Sequence, residues 1–140
     1  MWAMSASPNR CGIVSIVTAL VLLAAGCGDG TLSASALSKK SQSLQSLASE
    51  GALLARDASA GRSTRIFTRV HSEELAKAAS KSAKSLRTAT TRPALEPKLQ
   101  RLTYLAGKLS ADLKQLGHAS SAAEQARLAF ELKLTARALG

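Results

Sequence analysis

A chain of 140 residues with 19 Lys and Arg against nine Asp and Glu, a net charge of +10, has material for one small domain. Aromatic residues make up 3% of it and there are two cysteines, which excludes an aromatic-rich sheet core and a disulfide-stapled scaffold. The basic balance favours anionic partners.

The first ten residues are small or polar, with Arg10 as their one charged side chain. Ile13 to Ala25 then form an uncharged apolar run of 13 residues. A signal-peptide core takes about 7–15 residues, whereas a membrane-spanning helix needs roughly 17–25. Small residues Ala24, Ala25 and Gly26 precede Cys27, as a peptidase cutting an extended strand requires.

This segment resembles the bacterial lipoprotein signal, whose lipobox sets small residues before an obligatory cysteine. Ala24-Ala25-Gly26-Cys27 carries the resemblance, with Ala24 where the family usually has Leu and Leu23 one place earlier. The resemblance implies diacylglycerol on the Cys27 thiol, cleavage between Gly26 and Cys27, and acylation of the new amino terminus. Two other readings stay open: an uncleaved anchor helix ending at Cys27, and an unlipidated signal cut near Ala25. In each, Arg10 holds the amino end inside and the remainder lies outside the cytoplasm. The expected location is the cell envelope, on the outer face of the cytoplasmic membrane or in an outer membrane where the host has one. Cys11 leaves with the signal, so Cys27 is the one mature cysteine and no intramolecular disulfide forms.

Residues 27–140 retain 18 basic and nine acidic side chains. Their β-branched apolar residues reduce to Ile66 and Val70, so Leu and Ala must build the core and the fold class is all-α. The expected organisation is a signal at 1–26, a lipid anchor and flexible tether at 27–36, and a helical domain at 37–140. A first helix is predicted from Leu37 to Ala60, with Leu37, Leu44, Leu47, Leu54 and Ala58 on one stripe, Gly51 on that stripe allowing close helix approach, and Gly61 as its stop. A second covers Thr64 to Thr90 with Leu75, Ala78, Ser82, Leu86 and Ala89 on one face. Ser72-Glu73-Glu74 reads there as a cap, with either a kink near His71 or a separate short turn before the main helix.

Pro93 or Pro97 opens the third helix, where Leu95, Leu99, Leu102, Ala106, Leu109, Leu113 and Leu116 alternate by four and three residues up to Gly117. Ser121-Ala122-Ala123-Glu124 is a capping box opening a fourth, striped by Leu128, Leu132, Thr135 and Leu139. Four helices with short connections predict an up-and-down bundle. Two hairpins completing their core in a homodimer are the alternative.

No catalytic set stands out. His71 and His118 lie in different segments with no Cys or acidic pair spaced to join them on a metal, so no metal or cofactor is expected. Glu73 and Glu74 diverge by about 100° on a helix and make a poor acid/base pair. Lys77, Lys81 and Lys84 share a face opposite Leu75 and Leu86, and Arg56, Arg62, Arg65 and Arg69 cluster around the first turn. The plain reading of this charge is a solvated face; the functional one is contact with anionic lipid, a wall polymer or an envelope protein. Nucleic acid is not an expected partner of an exported chain without a stacking platform. The sequence therefore predicts a noncatalytic, membrane-anchored envelope module. A helical binding protein for a small apolar or anionic ligand is the second reading.

Overall fold

The computed structural model describes residues 31–140. Gly26, Cys27 and the rest of the predicted signal lie outside the described residues. Four helices dominate: α1 (Ala34–Ser59), α2 (Arg65–Arg87), α3 (Glu96–His118) and α4 (Ala122–Leu139). Before α1 lies β1 (Thr31–Leu32), and after α2 lies β2 (Thr90–Thr91), followed by a 3-10 turn over Pro93–Leu95. This is the small all-α bundle that the composition predicts.

Each helix start has a chemical cause. Ser33 caps α1 by accepting from the Ala36 N–H, Thr64 caps α2 through the Phe67 N–H, and Ser121 caps α4 through the Glu124 N–H. Pro97 occupies the first turn of α3, where a missing N–H costs nothing. The α1–α2 turn closes on Gly61, whose φ of 70° is the left-handed value a helix C-terminus takes most readily with glycine.

The helix starts differ from the predicted ones. The second helix has no break near His71: Thr64 supplies the cap and α2 runs continuously from Arg65. Ser72 is fully buried within that helix and returns its hydroxyl to the Arg69 carbonyl at 3.0 Å. The first helix begins at Ala34, three residues before the predicted start, because Ser33 provides a cap there.

The helices alternate in direction. Ser41 at the start of α1 donates to the Leu139 carbonyl at the end of α4. Across α2 and α3, Ser110 Oγ donates to the Ala76 carbonyl at 3.1 Å. Across α3 and α4, Arg101 donates to the Ala138 carbonyl at 3.0 Å. The most extensive packing joins α1 to α4 and α2 to α3. The core is leucine set against alanine: Leu37, Leu44, Leu109, Leu113, Leu128 and Leu132 are wholly buried, with Ala48, Ala55, Ala79 and Ala106 where backbones approach.

The buried face of α2 is rotated from the predicted one. Ala76, Ala79 and Ala83 join Leu75 and Leu86 inside, while Ala78 is exposed and Ser82 half-buried. Small side chains at these positions let α3 lie close, and its larger leucines fill the space between.

The β1–β2 pair is a two-residue parallel match, Thr31 to Thr90 and Leu32 to Thr91. The Thr91 hydroxyl also donates to the Leu32 carbonyl at 2.8 Å. Residues 31–36, expected within the tether, are therefore held in a strand and the first turn of α1. The pairing places the beginning of the described chain at one end of the bundle. That proximal end also holds the end of α2, the start of α3 and the end of α4. The α1–α2 and α3–α4 turns form the distal end.

Gly51 sits where α1 crosses the leucine seam. A Cβ there would lie 2.5 Å from Leu113 Cδ2 and 3.4 Å from Leu132 Cδ1. Because both leucines are wholly buried, overpacking at about 1–3 kcal/mol should outweigh the helix propensity gain of about 1 kcal/mol. Gly51→Ala should therefore lower the urea midpoint of the wild-type protein. In the Leu113→Ala background the same change should raise it, which a double-mutant unfolding cycle measures.

Candidate functional site

The face of α2 turned away from the core carries the predicted lysines. Lys77, Lys81 and Lys84 are all exposed, and the spacing of four and three keeps them on one line. They differ in their surroundings. Lys77 Nζ lies 2.7 Å from Glu74 Oε1; that hydrogen bond and the Glu74 charge raise the lysine pKa above its ordinary value. Lys81 and Lys84 have no carboxylate within ion-pair reach among the described residues, so they carry the uncompensated charge of this face.

The unbroken α2 extends the line in a way the sequence reading missed. Ile66 and Val70 precede Lys77 at helical spacing and are 71% and 52% exposed. The outer face is thus apolar toward the distal end and basic toward the proximal end. The spacing 66-70-77-81-84 holds this signal, but an assumed kink at His71 separates the two halves. His71 itself bridges helices: its Nε2 is 2.8 Å from Glu50 Oε1 on α1, and its ring stacks on Phe67 with centroids 5.5 Å apart.

The predicted arginine cluster divides. Arg62 is tied to Asp57, NH2 to Oδ1 at 2.6 Å, on the exposed distal turn. Arg65 and Arg69 line a distal cleft of about 400 Å³ between the start of α2 and the end of α3, where His118 also lies. His118 is the last residue of α3. A proximal groove of about 470 Å³ brings together Lys98, Arg101 and Arg137, and no acidic side chain lines it. Its three cations come from α3 and α4 and are too far apart in sequence for periodicity to group them. A third groove, of about 410 Å³ between α1 and α4, is lined by Ala52, Leu53, Phe130 and Ala136 together with Arg56 and Lys133.

Among the described residues no three His, Cys, Asp or Glu side chains converge on a point that could hold a metal ion. Among them, too, no helix is long and apolar enough to cross a membrane. No known family model matches the chain, and no curated protein or solved structure matches it.

Lys108 illustrates the opposite use of a basic side chain. It lies between Asp112 Oδ2 at 2.7 Å and Glu131 Oε2 at 3.2 Å, tying α3 to α4. Burial pushes its pKa down, but hydrogen bonds and charge from the two carboxylates outweigh this and raise it above the ordinary 10.5. A raised lysine contributes stability that is fully present below the unfolded pKa and lost as pH rises through the folded one. Lys108→Gln should thus lower the urea midpoint by a constant amount between pH 7 and about pH 10. The gap from wild type should close as pH climbs past the ordinary lysine value, as denaturation curves at stepped pH would record.

Proposed function

We propose that this chain is a membrane-anchored bacterial lipoprotein whose helical domain serves as a noncatalytic interaction module in the cell envelope. The lipobox-like Ala24-Ala25-Gly26-Cys27 supports the anchoring part, with lipid on Cys27 and cleavage after Gly26. One observation carries the interaction part: exposed Lys81 and Lys84 lack acidic partners among the described residues and continue the line begun by Ile66 and Val70. Two unpaired cations in line with exposed apolar side chains suit an anionic partner that also offers an apolar contact. An acidic envelope protein has both, and an acidic wall polymer offers the charge.

Attraction between exposed charges is screened over about 8–10 Å at ordinary ionic strength. Capture of envelope components by the full chain should therefore weaken steeply from 50 mM to 300 mM salt. Lys77→Glu/Lys81→Glu/Lys84→Glu should abolish it, with Lys81 and Lys84 contributing more than the glutamate-paired Lys77. Capture that persists unchanged in the triple variant would remove α2 as the binding face.

A second reading rests on the α1–α4 groove, where Leu53 and Phe130 are 60% and 59% exposed beside Arg56 and Lys133. Such a groove would take a small amphiphilic anion, its tail on the two apolar side chains. Binding of that kind raises the melting temperature in proportion to the logarithm of ligand over Kd. A medium-chain fatty acid should shift the wild type and leave Leu53→Ser/Phe130→Ser unshifted.

A further inference from the structure

We infer that the proximal end of the bundle is a docking surface for anionic lipid headgroups, centred on the groove bearing Lys98, Arg101 and Arg137. This rests on the anchoring of Cys27 proposed above and adds to it which end of the domain meets the bilayer. Two independent observations carry it.

The first is reach. The chain is pinned at Thr31–Leu32 by the pairing with Thr90–Thr91, and Gly28, Asp29 and Gly30 are the three residues between Cys27 and β1. Four residue steps span at most about 14 Å when fully extended. A lipid on Cys27 therefore holds β1 and β2 near the headgroups, whereas a tether reaching to residue 36 would leave the domain free to turn over. The distal turn lies about 35 Å farther along helices of this length. Lys77 stands about ten residues from the proximal end of α2, roughly 15 Å up the bundle and beyond a screening length.

The second is charge. The proximal groove of about 470 Å³ has three cations on its rim and no acidic side chain in its lining. Arg101 is oriented by its 3.0 Å bond to the Ala138 carbonyl, the kind of fixed guanidinium that receives a phosphodiester. Arg92, in the connection beside β2, is exposed as well. The charged headgroup of an anionic phospholipid matches this rim, and each basic residue close to such a surface favours association by about fivefold. End-on docking leaves Lys77 clear of the bilayer, while Lys84, three residues from the proximal end of α2, stays within a screening length of it.

The test is lysine footprinting on the full chain, isolated from native membranes and reconstituted into vesicles. One set contains phosphatidylcholine alone, the other phosphatidylcholine with phosphatidylglycerol. On phosphatidylglycerol, Lys98 should be acetylated about fivefold more slowly than on neutral vesicles, while Lys77 and the distal-half Lys114 keep their rates. Raising salt to 0.5 M should remove the difference without any substitution. Arg92→Glu/Arg137→Glu should also remove it, whereas the distal Arg65→Glu/Arg69→Glu should not. Equal Lys98 rates on both vesicles, or slowing of Lys77 and Lys81 in place of Lys98, would overturn end-on docking. Flotation separates this from failure of the anchor. A chain that floats with both vesicle types but shows no footprint contradicts the docking, and one that floats with neither contradicts the lipid on Cys27.

Discussion

Close packing of leucine against alanine is what every other feature of this molecule depends on. Among residues 31–140 the larger aromatic side chains face outward, with Phe67, Tyr104 and Phe130 all more than half exposed. The interior is filled by leucines from all four helices, and backbones approach at Ala48, Gly51, Ala79 and Ala106. Removing one buried leucine costs about 2–5 kcal/mol, whereas an exposed ion pair contributes about 0–1 kcal/mol. The seam, not the surface charge, therefore holds the bundle. That leaves many of the cations without a structural task.

How the cations are distributed follows from this division. Lys108 is engaged between two carboxylates, Arg62 by Asp57 and Lys77 by Glu74. Lys81, Lys84 and the proximal trio Lys98, Arg101 and Arg137 have no acidic partner among the described residues, and nothing in the core explains them. Under the proposed tethering a basic surface would have a direct physical use, because a tether raises the local concentration of any anionic partner nearby. The short β1–β2 pair completes the arrangement by fixing where the chain joins the bundle.

Legibility in the sequence tracked the size of the side chains. In α3 and α4 the leucine stripes are legible almost residue for residue, since Leu99, Leu102, Leu109, Leu113, Leu116, Leu128, Leu132 and Leu139 are buried. In α2 the predicted face shares Leu75 and Leu86 with the buried one but is rotated from it, because alanine and serine carry little hydrophobic contrast and Ala76, Ala79 and Ala83 do not stand out from Ala78. Ser72 before Glu73 and Glu74 has the composition of a cap, but Thr64, eight residues earlier, is the residue that caps α2. For the candidate site, the lysine line on α2 followed from local spacing. The proximal groove did not, since it joins α3 to α4 through tertiary packing, and the β1–β2 pair links residues 59 apart.

The proposed lipid on Cys27 is what would tie the basic bundle to a bilayer. The most direct measurement is the mass of the amino-terminal peptide of the chain isolated from native membranes. The account predicts a peptide that begins at Cys27 and carries added acyl mass. A peptide beginning at Met1, or an unmodified one cut near Ala25, would contradict it.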